Sequence, residues 1–254
     1  MKRLAFAVSI LTFSAMSASA ADLPARIYTK APVAPVVVYN WTGCFIGANG
    51  GGLWARKSWT YADTLAPATL GLPATSHTAS GGMGGGQIGC DYQAGRWVVG
   101  IQGDYDATNS KGSGIDSFFN RLSDESNVRG LGTVTVKGGY LVTDQFLLYV
   151  RGGVAFENDR YNIYQLPLST LAATGTQNRT GGTVGIGGEY LITNSWSAFV
   201  EYDYYDMGTK TATLTSTVTN LPFTTQSIRE RKDVVRAGLN WRFNLGGGAV
   251  VAKY

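Results

Sequence analysis

The stretch Gly95-Arg-Trp97-Val-Val-Gly-Ile-Gln-Gly-Asp-Tyr105 opens on a short polar turn and an aromatic, then alternates apolar with polar or small residues. Two further segments repeat it: Asp144-Gln-Phe146-Leu-Leu-Tyr-Val-Arg-Gly-Gly-Val154 and Asn194-Ser-Trp196-Ser-Ala-Phe-Val-Glu-Tyr-Asp-Tyr204. Their leading aromatics fall 49 and 50 residues apart. A period of two places alternate side chains on opposite faces of a strand. Both faces are committed here, one to apolar side chains and the other to charge. That pattern is expected of a strand crossing a membrane within a barrel.

The rest of the chain agrees with such a location. Met1-Lys2-Arg3, an apolar run from Leu4 to Met16 and the small-residue site Ala18-Ser19-Ala20 make residues 1–20 a signal peptide, with cleavage expected after Ala20. The run is too short for a spanning helix, and Ser9, Thr12 and Ser14 interrupt it. Removing Lys2 and Arg3 lowers the formal charge from +4 to +2. No Lys/Arg cluster is interleaved with stacking aromatics, so nucleic acid is not expected as a partner. Mean hydropathy is near zero although the chain carries 6 Trp and 14 Tyr, as alternation would produce. Residues 21–40 lack alternation, hold Pro24, Pro32 and Pro35, and read as an extended periplasmic leader.

Eight strands are expected over 41–54, 84–93, 97–107, 131–140, 146–156, 181–190, 196–206 and 232–243. Short turns lie at 94–96, 141–145 and 191–195. Long polar connections over 55–83, 108–130, 157–180 and 207–231 alternate with them and contain Pro67, Pro73, Pro167 and Pro222. The fold class is therefore all-β, an eight-stranded up-and-down antiparallel transmembrane barrel over 41–243, with a tail over 244–254. One face carries the aromatic girdle Trp97, Tyr140, Phe146, Tyr190, Trp196, Trp241 and Phe243. The other carries Asp104, Asp106, Lys137, Arg151, Glu189, Glu201, Asp203, Arg236 and Arg242, a charge network for the barrel interior. Eight strands leave room only for side chains, so a salt-bridged interior is expected, with a narrow conduit as the alternative.

Few residues offer chemistry. Cys44 and Cys90 fall at the periplasmic ends of neighbouring strands and on one face. An oxidising compartment permits a disulfide between them, two unpaired thiols being the alternative. His77, the sole histidine, falls in the first long connection and lacks a fixed polar constellation, so neither catalysis nor a metal site is expected. Gly84-Gly-Gly86-Gln-Ile-Gly89 matches the dinucleotide glycine pattern but runs into a hairpin where that site needs a helix. The run from Arg121 to Arg129 reads as solvated surface.

Asn40-Trp41-Thr-Gly-Cys-Phe-Ile-Gly-Ala-Asn49, Gly85-Gly-Gln-Ile-Gly89, Gly103-Asp-Tyr105, Gly182-Thr-Val-Gly185 with Glu189-Tyr190, Val200-Glu-Tyr202 and Arg236-Ala-Gly-Leu-Asn-Trp-Arg-Phe243 form an ordered set. The set resembles the outer-membrane immunogenic proteins of alphaproteobacteria, small porin-like barrels of OmpA type. Cys44 departs from it, standing where the family often has an aromatic. The resemblance implies an outer-membrane location, an envelope-structural and surface-antigen role with minor passive permeation, and a terminal aromatic, Phe243 or Tyr254, read by the barrel-insertion machinery. Outer-membrane lipids and lipopolysaccharide are the other expected partners. The alternative is a surface receptor for haem or a host ligand, possible host surface molecules then being partners through the long connections. Haemin binding in some members maps onto no residue here, and no cofactor is expected.

Overall fold

The computed structural model describes residues 39–63, 67–117 and 120–243. The expected signal peptide, most of the leader, the tail and Tyr254 lie outside them. Nine strands form one antiparallel sheet: β1 (Gly43–Tyr61), β2 (Pro73–Ala94), β3 (Trp97–Thr108), β4 (Lys111–Ile115), β5 (Leu122–Thr143), β6 (Phe146–Gln165), β7 (Thr170–Thr193), β8 (Trp196–Ser216) and β9 (Pro222–Phe243). β1 pairs with both β2 and β9, from Cys44 opposite Phe243 to Tyr61 opposite Gln226, and this seam closes the barrel. The ring has eight staves, because β4 continues β3 after a break at 109–110 and lies against β2 and β5. Closure leaves the ring without an edge strand, the condition for lodging a sheet in lipid.

Two-residue turns join β2 to β3, β5 to β6 and β7 to β8. Gly95 supplies the left-handed backbone of the first (φ 62°). In the other two a threonine hydroxyl accepts the first amide of the returning strand, Thr143 from Phe146 and Thr193 from Trp196, at 3.0 and 3.1 Å. Cys44 and Cys90 face each other across β1 and β2 and are joined by a disulfide closing a separation of 46 residues. It lies on the outward face beside Ile46, Ile88 and Ile101, all exposed.

Burial decides which face is outside. Val99, Ile101, Val134, Val136, Val150, Val184, Ile186, Val200 and Leu239 are all exposed, whereas Asp104, Lys137, Arg151, Glu189, Glu201, Asp203 and Arg236 are buried. Apolar side chains outside and charge inside suit a hydrocarbon solvent. The girdle closes this belt below: Trp97 meets Tyr140 edge-on at 5.2 Å, Phe146 lies opposite Tyr190, Trp196 opposite Trp241, and Trp241 lies 5.3 Å from Phe243.

The long connections expected from the sequence are mostly strand. β7 alone has 24 residues, where 9–11 suffice to cross a bilayer. The remaining links are short, with 166–169 and 217–221 the tightest. Above the belt the strands exchange their chemistry; β6 keeps its phase, whereas β5 and β8 shift theirs at bulges at 128–130 and 206–208. On β6 the outward series passes from Val154 and Phe156 to Asn158, Arg160 and Asn162, while the inward series passes from Arg151 through Glu157 and Asp159 to Tyr161 and Ile163. Water in place of lipid accounts for the inversion, since the outer face must become polar and the inner face holds the apolar core. Pro73 and Pro222 begin β2 and β9, where no ladder hydrogen bond is lost. The Arg121–Arg129 run is likewise largely β5, with Asp124, Ser126 and Val128 turned inward and buried.

Inward glycines make room for charge. A Cβ on Gly185 would collide with the Asp203 carboxylate, and one on Gly51 would meet Arg236 at its own Cβ, 2.9 Å away. Gly185→Val should therefore destabilise the folded barrel by about 1–3 kcal/mol, the usual cost of overpacking. The readout is the midpoint of heat-induced mobility shift on a gel. An unchanged midpoint would contradict this packing.

Candidate functional site: the filled lumen and the outer mouth

Inward side chains stack in layers from the turn end upward. The floor is apolar: Trp41, Val98, Leu141, Leu147, Tyr149 and Leu191 pack together. Trp41 precedes β1 and crosses under it, its indole N–H donating to the Asp144 carbonyl at 3.0 Å and its own carbonyl accepting from Arg242 at 2.9 Å. Above it lies a balanced charge layer. Lys137 Nζ is 3.1 Å from Asp91 and 3.3 Å from Glu189, and Arg242 spans the same two acids at 2.6 and 2.9 Å.

Two guanidiniums organise the next layer. Arg151 bonds Asp104 at 3.0 Å and Asp203 at 2.8 Å; Arg236 bonds Asp104 at 2.9 Å, Asp106 at 2.8 Å and Glu201 at 2.5 Å. Thr133 donates to Asp104 and Tyr149 to Glu201, each at 2.8 Å. The nine charged residues singled out in the sequence thus occupy these two layers, brought together from β3, β5, β6, β7, β8 and β9. Asp91 of β2 belongs with them and was missed, although its phase opposite Tyr92 marks it as inward.

An apolar layer of Leu53, Leu131, Tyr205, Met207 and Val234 follows. A third charge layer then lies, apart from Lys232, in stretches read from the sequence as connections. Lys57 is 3.1 Å from both Asp159 and Glu230, Arg179 is 3.3 Å from Asp159, and Lys232 contacts Glu157 and Glu230. Carboxylate oxygens of Glu157, Asp159 and Glu230 lie within 4.8 Å of one another, a grouping that suits a cation by distance alone. Three cations already neutralise the three acids, so the arrangement is a salt-bridge layer. Trp59, Tyr61, Tyr161, Ile163, Leu214 and Ile228 cap the column.

His77 sits in this upper region, on β2 and not in a loop. Its Nε2 is 2.9 Å from Ser126 Oγ, its ring lies 6.0 Å from that of Trp59, and its neighbour across β1 is Lys57. A serine–histidine pair is thereby formed, which the sequence did not disclose because β5 supplies the serine from another expected connection. It lacks the features of a nucleophilic site. Ser126 is fully buried, and His77 Nδ1 has no partner among the described residues to orient the ring. Burial, reinforced by the Lys57 charge, lowers the His77 pKa to about 4. A depressed folded pKa means that its stabilising contribution is present above about 6.5 and lost as pH falls through about 4. The single histidine makes this measurable: its imidazole resonances in the folded protein should titrate with a midpoint near 4, and a midpoint near 6.5 would contradict the buried placement.

Comparison with known proteins agrees with this architecture. The family described as outer membrane protein beta-barrel domain matches residues 5–243. The 31 kDa outer-membrane immunogenic proteins of Brucella melitensis and Brucella suis are each 30% identical over 244 residues, covering 92% of this chain and 97% of theirs. The outer membrane protease OmpT of Escherichia coli superposes with a TM-score of 0.51 at 9% identity, covering 82% of this chain and 99% of that one, a likeness of fold alone. With its apolar belt, aromatic girdle and lumen of paired charges, the chain belongs to the outer membrane protein beta-barrel domain family and is a protein of the outer membrane.

Proposed function

We propose that the chain is a closed, non-catalytic barrel that braces the envelope and presents a surface outside the cell, with at most slow passive permeation. The filled lumen carries this reading. Among the described residues, floor, two charge layers, apolar layer, third charge layer and cap follow one another without an aligned ring of like charges that would serve ion selection. The buried serine–histidine pair supports the non-catalytic part. In a planar bilayer the folded protein should give no discrete conductance steps; regular steps would overturn the reading. Arg236→Ala leaves Asp104, Asp106, Glu201 and Asp203 with Arg151 alone. It should cost about 3–5 kcal/mol of stability, measured by denaturant unfolding in detergent.

A second reading, binding of a ligand at the outer mouth, draws on a cavity of about 380 Å³ lined by Tyr61, Leu122, Ile163 and Phe223 with Arg121 and Gln226. It replaces binding through long loops, which the strands leave little room for. Haem is poorly served there. Among the described lining residues Tyr61 alone is of a type that ligates haem iron; its hydroxyl donates to Asp116, and burial with that bond pushes its pKa up. Saturable binding of an apolar fluorophore, abolished by Ile163→Asp, would favour the receptor. Binding insensitive to that substitution would remove it.

A further inference from the structure

Two arginines face one another on the outside of the barrel. Arg56 of β1 is the register partner of Arg231 of β9, and Arg229 follows two positions further up on the same outward face. Like charges directly opposed across a ladder are destabilising, so something must offset them. The protein supplies only part of it. Asp233 bonds Arg56 at 2.5 Å and also accepts from the Tyr202 hydroxyl at 2.6 Å. Asp206 is 3.4 Å from Arg229 and 3.8 Å from Arg231, both longer than a well-formed charged hydrogen bond. Three guanidiniums thus share two carboxylates, and the guanidinium of Arg231 has no hydrogen-bond partner among the described residues. Between these arginines and the hydroxyls of Ser58, Ser76 and Thr78 lies a polar depression of about 380 Å³, a volume in the range of ligand sites.

Height selects the ligand. On β1 the outward residue immediately below Arg56 is Trp54, and on β9 the outward series below the arginines runs Asp233, Val235, Ala237, Leu239, Trp241. From Trp241 to Arg231 is ten residues of strand. That is roughly 33 Å along the chain, or about 25 Å of height at the tilt of such barrels, the thickness of the apolar band. The cluster therefore stands at the external boundary of the hydrocarbon. A molecule seated there with its anionic head on the guanidiniums would lay an apolar tail down over Trp54 and Val235. Across the barrel, Arg129 on β5 and Arg160 on β6 are outward arginines outside this cluster.

We infer that Arg56, Arg229 and Arg231 form a binding site for the phosphorylated headgroup of an outer-leaflet glycolipid, held against the β1–β9 seam. Guanidinium forks match phosphate oxygens bidentately, and the neighbouring hydroxyls suit the attached sugar. Such a lipid would clamp the two strands whose pairing closes the ring.

Native mass spectrometry of the full folded chain in detergent, with purified bisphosphorylated lipid A as probe, tests the site. Wild type should retain one or more lipids. R56Q/R229Q/R231Q should lose at least tenfold in occupancy, while R129Q/R160Q across the barrel should bind as wild type does. The lysine triple R56K/R229K/R231K keeps the charge and should hold an intermediate amount, which covers the case in which the glutamine triple does not fold. Enzymatically dephosphorylated lipid A should not be retained. Equal retention by wild type and the glutamine triple, or of the dephosphorylated lipid, would overturn the site. Displacement of lipid A by millimolar inorganic phosphate would overturn its assignment to a lipid and leave a site for a soluble anion.

Discussion

The closed ladder from β1 to β9 is the constraint on which everything else rests. A ring with no edge satisfies its backbone hydrogen bonds by itself, and it also fixes the direction of each side chain along a strand except where a bulge intervenes, as on β5 and β8. A strand of 20 residues or more cannot change phase freely, so the chemistry written on its two faces must change where the surroundings do. At the top of the apolar belt the outward face passes from Trp54 to Arg56, from Val235 to Asp233, and from Phe156 to Asn158. The inward face carries one more charge layer, with Lys57, Asp159 and Glu230, and above it turns to Trp59, Tyr161 and Ile163. One barrel is thus two in tandem, built for lipid below and for water above.

Inside the lower half, charges are taken from water and must be compensated. Replacing buried ion pairs by apolar side chains often leaves a protein as stable or more so, so these layers are weak grounds for stability as such. Their geometry suggests specificity instead. Arg151 and Arg236 each join strands distant in sequence, and either would leave several carboxylates unpaired if a strand slipped by one register. Inward glycines such as Gly51 and Gly185 supply the volume that long side chains need in a narrow ring.

Much of the lower half was legible in the sequence. Trp97 to Tyr105, Phe146 to Val154 and Trp196 to Tyr204 alternate strongly, and the nine charged residues singled out, four of them in these segments, share the lumen. Period alone cannot say which face is outside; burial did. The upper half was illegible for a physical reason. Its outward residues are Thr, Ser, Asn and Arg, and several inward ones are Ala74, Ala173 and Ala212, so contrast between faces falls and polarity mimics a loop. Glu157, Asp159, Tyr161 and Ile163 do alternate, but with charge and aromatic on the same face. His77 suffered from this directly, since its partner Ser126 and its neighbour Trp59 lie on strands hidden within expected connections.

The bond between Cys44 and Cys90 carries a consequence of timing. Its sulfurs lie on the outward face among Ile46, Ile88 and Ile101, where acyl chains surround it once the barrel is in place. Thiolates and water-soluble oxidants or reductants are scarcely present in hydrocarbon, so exchange there is arrested. The link must be made while the chain is still in the aqueous, oxidising periplasm, and can be undone only after the barrel has left the membrane. It ties β1 to β2 covalently, whereas among the described residues the β1–β9 seam is held by its ladder and side chains alone.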